Sequence, residues 1–245
     1  MGTLMLLRHG ESTYNAQQVF TGLLDAGLTP AGEAQVAVAA DLIRGADLRP
    51  DVVWQSTMLR SLRTTELLLS HLGLEDFDPR STWRLVERAY GVLTDLPKRE
   101  ARHRYGDHAF HEWRRTINGR PPHATAEQVA SWTDPAPVAE RGSLPAGVGE
   151  SLADVIERVR PWWDEDVHPD LVAGRTVFVV AHGNTLRALA DVVLGLSDRE
   201  VEDLNIPAGH PLTLEFSDGR PGSPRYLDPD VAQRAAAAVA AEGGT

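Results

Sequence analysis

The 245-residue chain is acidic, with a formal net charge of −11, 42% hydrophobic residues and no cysteine. That composition suits a soluble globular protein long enough to bury a full core. It excludes disulfides, thiolate metal sites and a cysteine nucleophile, and it argues against general nucleic-acid binding, which needs a basic footprint. No apolar stretch is long enough for a bilayer. With no basic-then-apolar leader at the amino terminus, the cytoplasm is the expected compartment and no membrane partner is expected.

Leu4-Met5-Leu6-Leu7 predicts a buried strand that delivers Arg8-His9-Gly10-Glu11 at its carboxyl end. Ligands of open α/β sheets bind outside such strand ends. Glu11-Ser12-Thr13-Tyr14-Asn15 predicts a short helix whose unpaired amides would favour an anion. Gly10 would let a tetrahedral group approach the backbone. Thr29 as cap and Pro30 at the first helical position predict a helix over 31–43. A second strand is expected over 51–55. A helix over 58–72 follows, with Leu59, Leu62, Leu67 and Leu68 inward. Trp83-Arg84-Leu85-Val86-Glu87 predicts a third strand.

From about 97 to 149 the periodicity weakens, and Pro121, Pro122, Pro135, Pro137 and Pro145 punctuate the chain. This stretch reads as an insertion or lid over the sheet. Ser151 with Asp154 resembles a capping box and opens a helix to about 165. Val177-Phe178-Val179-Val180-Ala181 then predicts a strand running into His182-Gly183-Asn184, an echo of the first His-Gly. Ser197 with Glu200 caps a short helix, and 211–216 predicts a final strand. The alanine-rich stretch 231–243 suits a helix but lacks an apolar stripe for firm docking. The alternation of strand and helix predicts an α/β sheet.

A neutral imidazole is a good nucleophile near neutral pH, which makes His9 the candidate. Arg8 adds a fork that matches phosphate oxygens. Arg60 and Arg63 share a helix face after the second strand. They read either as a phosphate clamp or as a solvated face. Glu87 reads as a general acid and base or as an exposed charge. Lys98, Arg114 and Arg115 concentrate positive charge that would hold a second anionic group. His108 and His111 share a face without a carboxylate that completes a metal pattern. Neither a Gly-x-Gly-x-x-Gly nor a Walker-type motif is present.

Taken in order, these clusters resemble the histidine phosphatase superfamily and, within it, the cofactor-dependent phosphoglycerate mutases. The resemblance rests on Leu6-Leu7-Arg8-His9-Gly10-Glu11-Ser12, Phe20-Thr21-Gly22, Trp83-Arg84-Leu85 through Glu87-Arg88 to Tyr90-Gly91, and Trp113-Arg114-Arg115. It continues in Glu150-Ser151-Leu152, Ala181-His182-Gly183-Asn184-Thr185-Leu186-Arg187 and Leu204-Asn205-Ile206-Pro207. It implies that His9 carries a phosphoryl group, with Arg8, Arg60 and His182 around it. Asn15, Thr21, Gly22, Gly183 and Asn184 would add hydrogen bonds or close backbone contact. Glu87 would carry the proton, and Tyr90, Lys98, Arg114 and Arg115 would hold the far end of a small phosphorylated metabolite. It implies 2,3-bisphosphoglycerate as primer, no metal, and a dimer or tetramer. The expected fold is a three-layer α/β/α sandwich with a mostly parallel central sheet and an irregular helical lid insertion. One domain would span 1–245, with the lid at about 97–149 and a mobile tail from about 228. Leu23, Ala89, Asp95, Ala208 and His210 depart from the family's usual residues. A second reading is therefore a phosphatase, or a mutase of another phosphoester.

Overall fold

The computed structural model describes residues 1–132 and 144–241. Pro135 and Pro137 lie outside them. Strand β1 (Gly2–Arg8) is followed by the one-turn helix α1 (Thr13–Ala16), α2 (Pro30–Gly45), β2 (Val52–Ser56), α3 (Leu59–Leu72) and β3 (Arg80–Thr82). Helices α4 (Lys98–Arg115) and α5 (Ala126–Ser131) lead to α6 (Leu152–Trp162), a π-helical turn at Trp163–Val167 and α7 (His168–Val172). Then come β4 (Thr176–Ala181), α8 (Gly183–Leu194), α9 (Asp198–Asp203), β5 (Leu212–Ser217), β6 (Arg220–Pro221), β7 (Arg225–Tyr226) and α10 (Pro229–Ala241).

The sheet runs β3-β2-β4-β1-β5-β6, with β7 beside β5. β3, β2, β4 and β1 are parallel neighbours, and β5 runs antiparallel to β1. The central strands are apolar on both faces because helices cover both. Leu4, Leu6, Val177 and Val179 pack toward α6 and α8. Met5, Leu7, Phe178 and Val180 alternate to the other side, against α2 and α3. This is the expected three-layer sandwich. Ser151 and Asp154 form the expected capping box on α6, and Ser197 and Glu200 form the one on α9.

Three expectations are corrected. The third strand covers Arg80–Thr82, and Trp83–Leu85 coils into a 3-10 turn instead. The carbonyls of Arg84, Val86 and Glu87 are taken by side chains rather than by a strand. On α3 the inward face is Arg60, Ser61, Thr64, Thr65, Leu68 and Leu69, while Leu59 is 46% exposed. That face meets strand ends, where hydroxyls serve better than methyls: Ser61 donates to the Val180 carbonyl at 2.9 Å, and Thr64 accepts from the Gly10 amide at 3.2 Å. Finally, the described parts of the expected insertion, 97–132 and 144–149, hold more regular helix than their prolines suggest. α4, broken at Gly106 (φ 81°, ψ 161°), covers a small core of Phe20, Tyr90, Leu93 and Ala101. The alanine-rich end forms α10, which is tied down at its start by buried Ala232 and by the His210–Asp228 pair.

Candidate active site

The register of β1 against β4 pairs Arg8 with Ala181, so His9 and His182 emerge side by side from two adjacent strand ends. Their rings lie 5.0 Å apart at 61°, and both residues are buried. His9 Nδ1 donates to the Gly10 carbonyl at 2.7 Å, which leaves Nε2 with its lone pair. Burial, then the charges of Arg60 and Arg8, hold the His9 pKa well below the usual value near 6.5. His182 is lowered likewise, chiefly by burial and then by Arg60. Its Nε2 lies 2.7 Å from Ser56 Oγ, while Nδ1 is buried with no partner among the described residues. Ser56 Oγ accepts from the Met58 amide at 3.3 Å and shares one proton with His182 Nε2; in the tautomer in which the hydroxyl donates, the imidazole proton lies on Nδ1.

At His9 the cleft is lined by Arg8, His9, Asn15, Thr21, Gly22, Arg60, Glu87, Tyr90, Lys98 and Arg114, with Val19 and Phe20, while His182, Gly183 and Asn184 are not among the lining residues. The space enclosed is only about 40 Å³. Arg60, delivered by the first turn of α3, donates to the Leu24 carbonyl at 2.8 Å and the Gly22 carbonyl at 3.0 Å. It thus holds the Thr21-Gly22 loop as well as charging the cleft. Burial lowers its pKa to about 10, so it stays cationic at neutrality. Arg8 Nη1 donates to the Ile206 carbonyl at 3.1 Å. Asn15 Oδ1 accepts from the Ser12 amide at 3.2 Å, leaving its NH2 as the donor toward the cleft.

Glu87 is 8% exposed, and its Oε1 accepts from the Arg88 amide at 2.7 Å. Tyr90 Oη accepts from Asn184 Nδ2 at 2.8 Å, and Asn184 Oδ1 in turn accepts from Arg187 at 3.0 Å. Asn184 therefore reaches the site through Tyr90. Gly183 starts α8 beside His182. Lys98 enters from the first position of α4, and Arg114, 1% exposed, enters from its last turn against the Phe20 and Phe110 rings. Arg115 is not among the lining residues. It bonds Asn205 Oδ1 at 3.2 Å and faces a neighbouring hollow of about 400 Å³, shared with Arg102, Arg114 and Ala240.

Some sequence signals mean something different here. Gly10 is required by packing, because a Cβ would lie 2.4 Å from the Gly32 carbonyl oxygen of α2. The amides expected to hold an anion are mostly engaged: Glu11 donates to Gln35, Ser12 to Asn15, Thr13 to Gly27 and Asn15 to Ser12. Arg63 is a solvated-face residue paired with Glu33 and Glu66. Sequence reasoning missed Ser56, whose only signal is its place at the carboxyl end of β2. It also missed Arg88, whose guanidinium is wholly buried, lies 5.0 Å over the Tyr90 ring and has no hydrogen-bond partner among the described residues.

The two neutral histidines set a pH dependence of stability. Below about pH 6.5 the unfolded chain binds protons that folded His9 and His182 refuse. Stability therefore falls as pH drops from that value toward their folded pKa. The loss is about 1.4 kcal/mol per pH unit for each histidine. Denaturant unfolding at pH 7 and pH 5 is expected to show this slope, and it should flatten in the His9→Gln/His182→Gln variant. An equal slope in both proteins would contradict the assignment.

The model of the histidine phosphatase superfamily, branch 1, matches residues 4–228. A curated 2,3-bisphosphoglycerate-dependent phosphoglycerate mutase of Thermobifida fusca is 41% identical over 99% of this chain and 100% of its own. The enzyme of that name from a Nocardioides species is 43% identical over 98% of both chains, and that from Mycobacterium tuberculosis is 42% identical over 99% of this chain and 98% of its own. Among solved structures, a mycobacterial glucosyl-3-phosphoglycerate phosphatase superposes with a TM-score of 0.67 at 24% identity, covering 91% of this chain and 96% of that one. An alpha-ribazole phosphatase of Shigella flexneri gives 0.66 at 18%, covering 92% and 95%. At these identities the two phosphatase structures support the fold alone.

Proposed function

Because the chain belongs to the histidine phosphatase superfamily, and its full-length relatives carry one activity, we propose that it is a phosphoglycerate mutase. It interconverts 3-phosphoglycerate and 2-phosphoglycerate through a phosphohistidine and depends on 2,3-bisphosphoglycerate as primer. The observation that carries the reading is one cleft holding His9, Glu87 and a second set of cations, Lys98 and Arg114, delivered by α4. A phosphatase needs the first two alone. A mutase must also retain its intermediate while the two transfer positions exchange.

His9 Nε2 attacks phosphorus as the ester oxygen departs, and Glu87 supplies the proton that oxygen takes up. The phosphoryl group then rests on His9, its oxygens met by Arg8, Arg60 and His182 Nδ1. Such transfer needs positioning and charge stabilisation more than covalent help. An incoming 3-phosphoglycerate then attacks the phosphohistidine through its free 2-hydroxyl while Glu87 takes that proton, which regenerates neutral His9 and leaves the bisphosphate bound. Once this has turned end for end, His9 takes the 3-phosphoryl group as in the first step and 2-phosphoglycerate departs. Tyr90, Lys98 and Arg114 hold the carboxylate and second phosphate throughout. Arg115 joins them only if α4 shifts from its present bond to Asn205.

A polyanionic primer fits these residues. Arg8, Arg60, Lys98 and Arg114 bring four cationic side chains to one cleft, charge that a polyanion offsets. In this reading α4 and the segment around it act as a lid that excludes water, and the enzyme works in the cytoplasm of glycolysing or gluconeogenic cells as a homo-oligomer. The second reading, a phosphatase or mutase of another phosphoester, would have the five departures from the family reshape the cleft. None of Leu23, Ala89, Asp95, Ala208 and His210 lines it. Asp95 accepts from Tyr14 Oη at 3.2 Å, and His210 pairs with Asp228 at 2.6 Å.

A coupled assay decides. Conversion of 3-phosphoglycerate is expected to need added 2,3-bisphosphoglycerate in enzyme freed of phosphoryl groups. No conversion with primer present, together with hydrolysis of some other phosphorylated metabolite, would transfer the assignment to the second reading.

A further inference from the structure

Glu87 sits on a segment with no ladder of its own, because β3 ends at Thr82. What fixes that segment is a buried ion pair outside the cleft. Arg158, from the middle of α6, and Glu150, just before the cap of the same helix, have side chains 6% and 4% exposed. Arg158 Nε donates to Glu150 Oε1 at 2.9 Å. The remaining groups of the pair turn to the segment. Arg158 Nη1 donates to the Arg84 carbonyl, and Nη2 donates to the Val86 and Glu87 carbonyls at 2.8 and 3.2 Å. Glu150 Oε2 accepts from the Ala89 amide at 2.8 Å. Arg84 returns a bond from its Nη1 to the Arg158 carbonyl at 2.9 Å.

We propose that the Glu150–Arg158 pair is the positioning device of the proton carrier, setting the orientation of Glu87 by holding peptide groups on both sides of it. The pair grips the carbonyl of Glu87 itself and the amide two residues on. A tilt of either partner therefore moves the Glu87 Cα without touching His9, whose place is set by the β1–β4 register. A pair serving only to attach α6 to the sheet would have no need to spend nearly all its hydrogen bonds on one short run of chain. Isolated buried charges are unfavourable, and this pair is tolerable because its donors and acceptors are met. The geometry that meets them is the geometry that holds the segment.

The inference rests on Glu87 carrying the proton, so the test separates proton-dependent from proton-independent transfer. Phosphorylation of His9 is timed with two donors. 2,3-Bisphosphoglycerate leaves an alkoxide that needs a proton, and p-nitrophenyl phosphate leaves a stable phenolate that does not. In Arg158→Lys and in the near-isosteric Glu150→Gln, labelling by bisphosphoglycerate is expected to slow by about 100-fold, as for a small misplacement of a catalytic group. Labelling by the aryl phosphate should stay within about 3-fold of wild type, and neither substitution should slow the bisphosphoglycerate reaction further in a Glu87→Gln background. Equal slowing with both donors in variants that melt cooperatively would make the pair merely structural and overturn the proposal, as would no slowing with either. If wild-type His9 is labelled by the aryl phosphate but not by bisphosphoglycerate, the mutase reading fails instead.

Discussion

His9→Ala is expected to lower mutase turnover by at least about 10⁴-fold, the scale on which loss of a covalent nucleophile acts. His182 does not substitute, because its Nε2 is held by Ser56 and it is not among the residues that line the cleft. Of the other lining residues, Arg8, Arg60, Lys98 and Arg114 are cations, Glu87 has the proton to manage, Tyr90 Oη is held by Asn184 Nδ2, and Thr21 offers only a neutral alcohol. The substitution should leave the fold in place. His9 contributes one hydrogen bond, to its neighbour's carbonyl, while β1 keeps its pairing with β4 and β5. Steady-state assays on a variant with an unchanged denaturation midpoint at pH 7.5 would check it. Residual turnover within about 10-fold of wild type would mean that the phosphoryl group does not pass through His9.

The second large effect is that of Glu87→Gln, expected to slow transfer to and from the sugar-acid oxygens by about 10²–10⁴-fold. Glutamine keeps the acceptor that the Arg88 amide uses, so the backbone at Val86 to Ala89 stays as it is. What is lost is the group that both gives and takes a proton. The effect belongs in kcat, because Tyr90, Lys98 and Arg114 still bind the substrate, and KM should change by less than about 3-fold. A variant with normal kcat and raised KM would recast Glu87 as a binding group.

The convergence of Arg8, His9 and His182 at one edge of the sheet is legible in the sequence for a physical reason. Buried parallel strands read as short apolar runs, and the residues just after each run are delivered to one edge of the sheet. Arg8-His9 and His182 were therefore legible as a site before any geometry. The capping boxes at Ser151 and Ser197 were equally plain, because a cap needs two side chains at a fixed spacing. α3 was misread by its leucines. Its inward face is chosen by the strand ends it meets, and their backbone groups call for Ser61 and Thr64. The strand expected at Trp83 to Glu87 failed because its backbone partners are the side chains of Arg158 and Thr185, far along the chain. No local pattern announces such a partner. Ser56 and Arg88 escaped notice likewise: each acts through one long-range or tertiary contact, to His182 and to the Tyr90 ring. The packing need at Gly10 is not legible in the sequence, since the closeness of Gly32 is a tertiary fact.

The destination of the phosphoryl group distinguishes a mutase acting through His9 from every other course. Protein treated with 2,3-bisphosphoglycerate carrying labelled phosphorus is expected to gain one acid-labile, alkali-stable phosphoryl group on His9. A chase with unlabelled 3-phosphoglycerate should return that label in bisphosphoglycerate and 2-phosphoglycerate faster than in inorganic phosphate. Label appearing chiefly as inorganic phosphate, or on a residue other than His9, would contradict a mutase acting through His9.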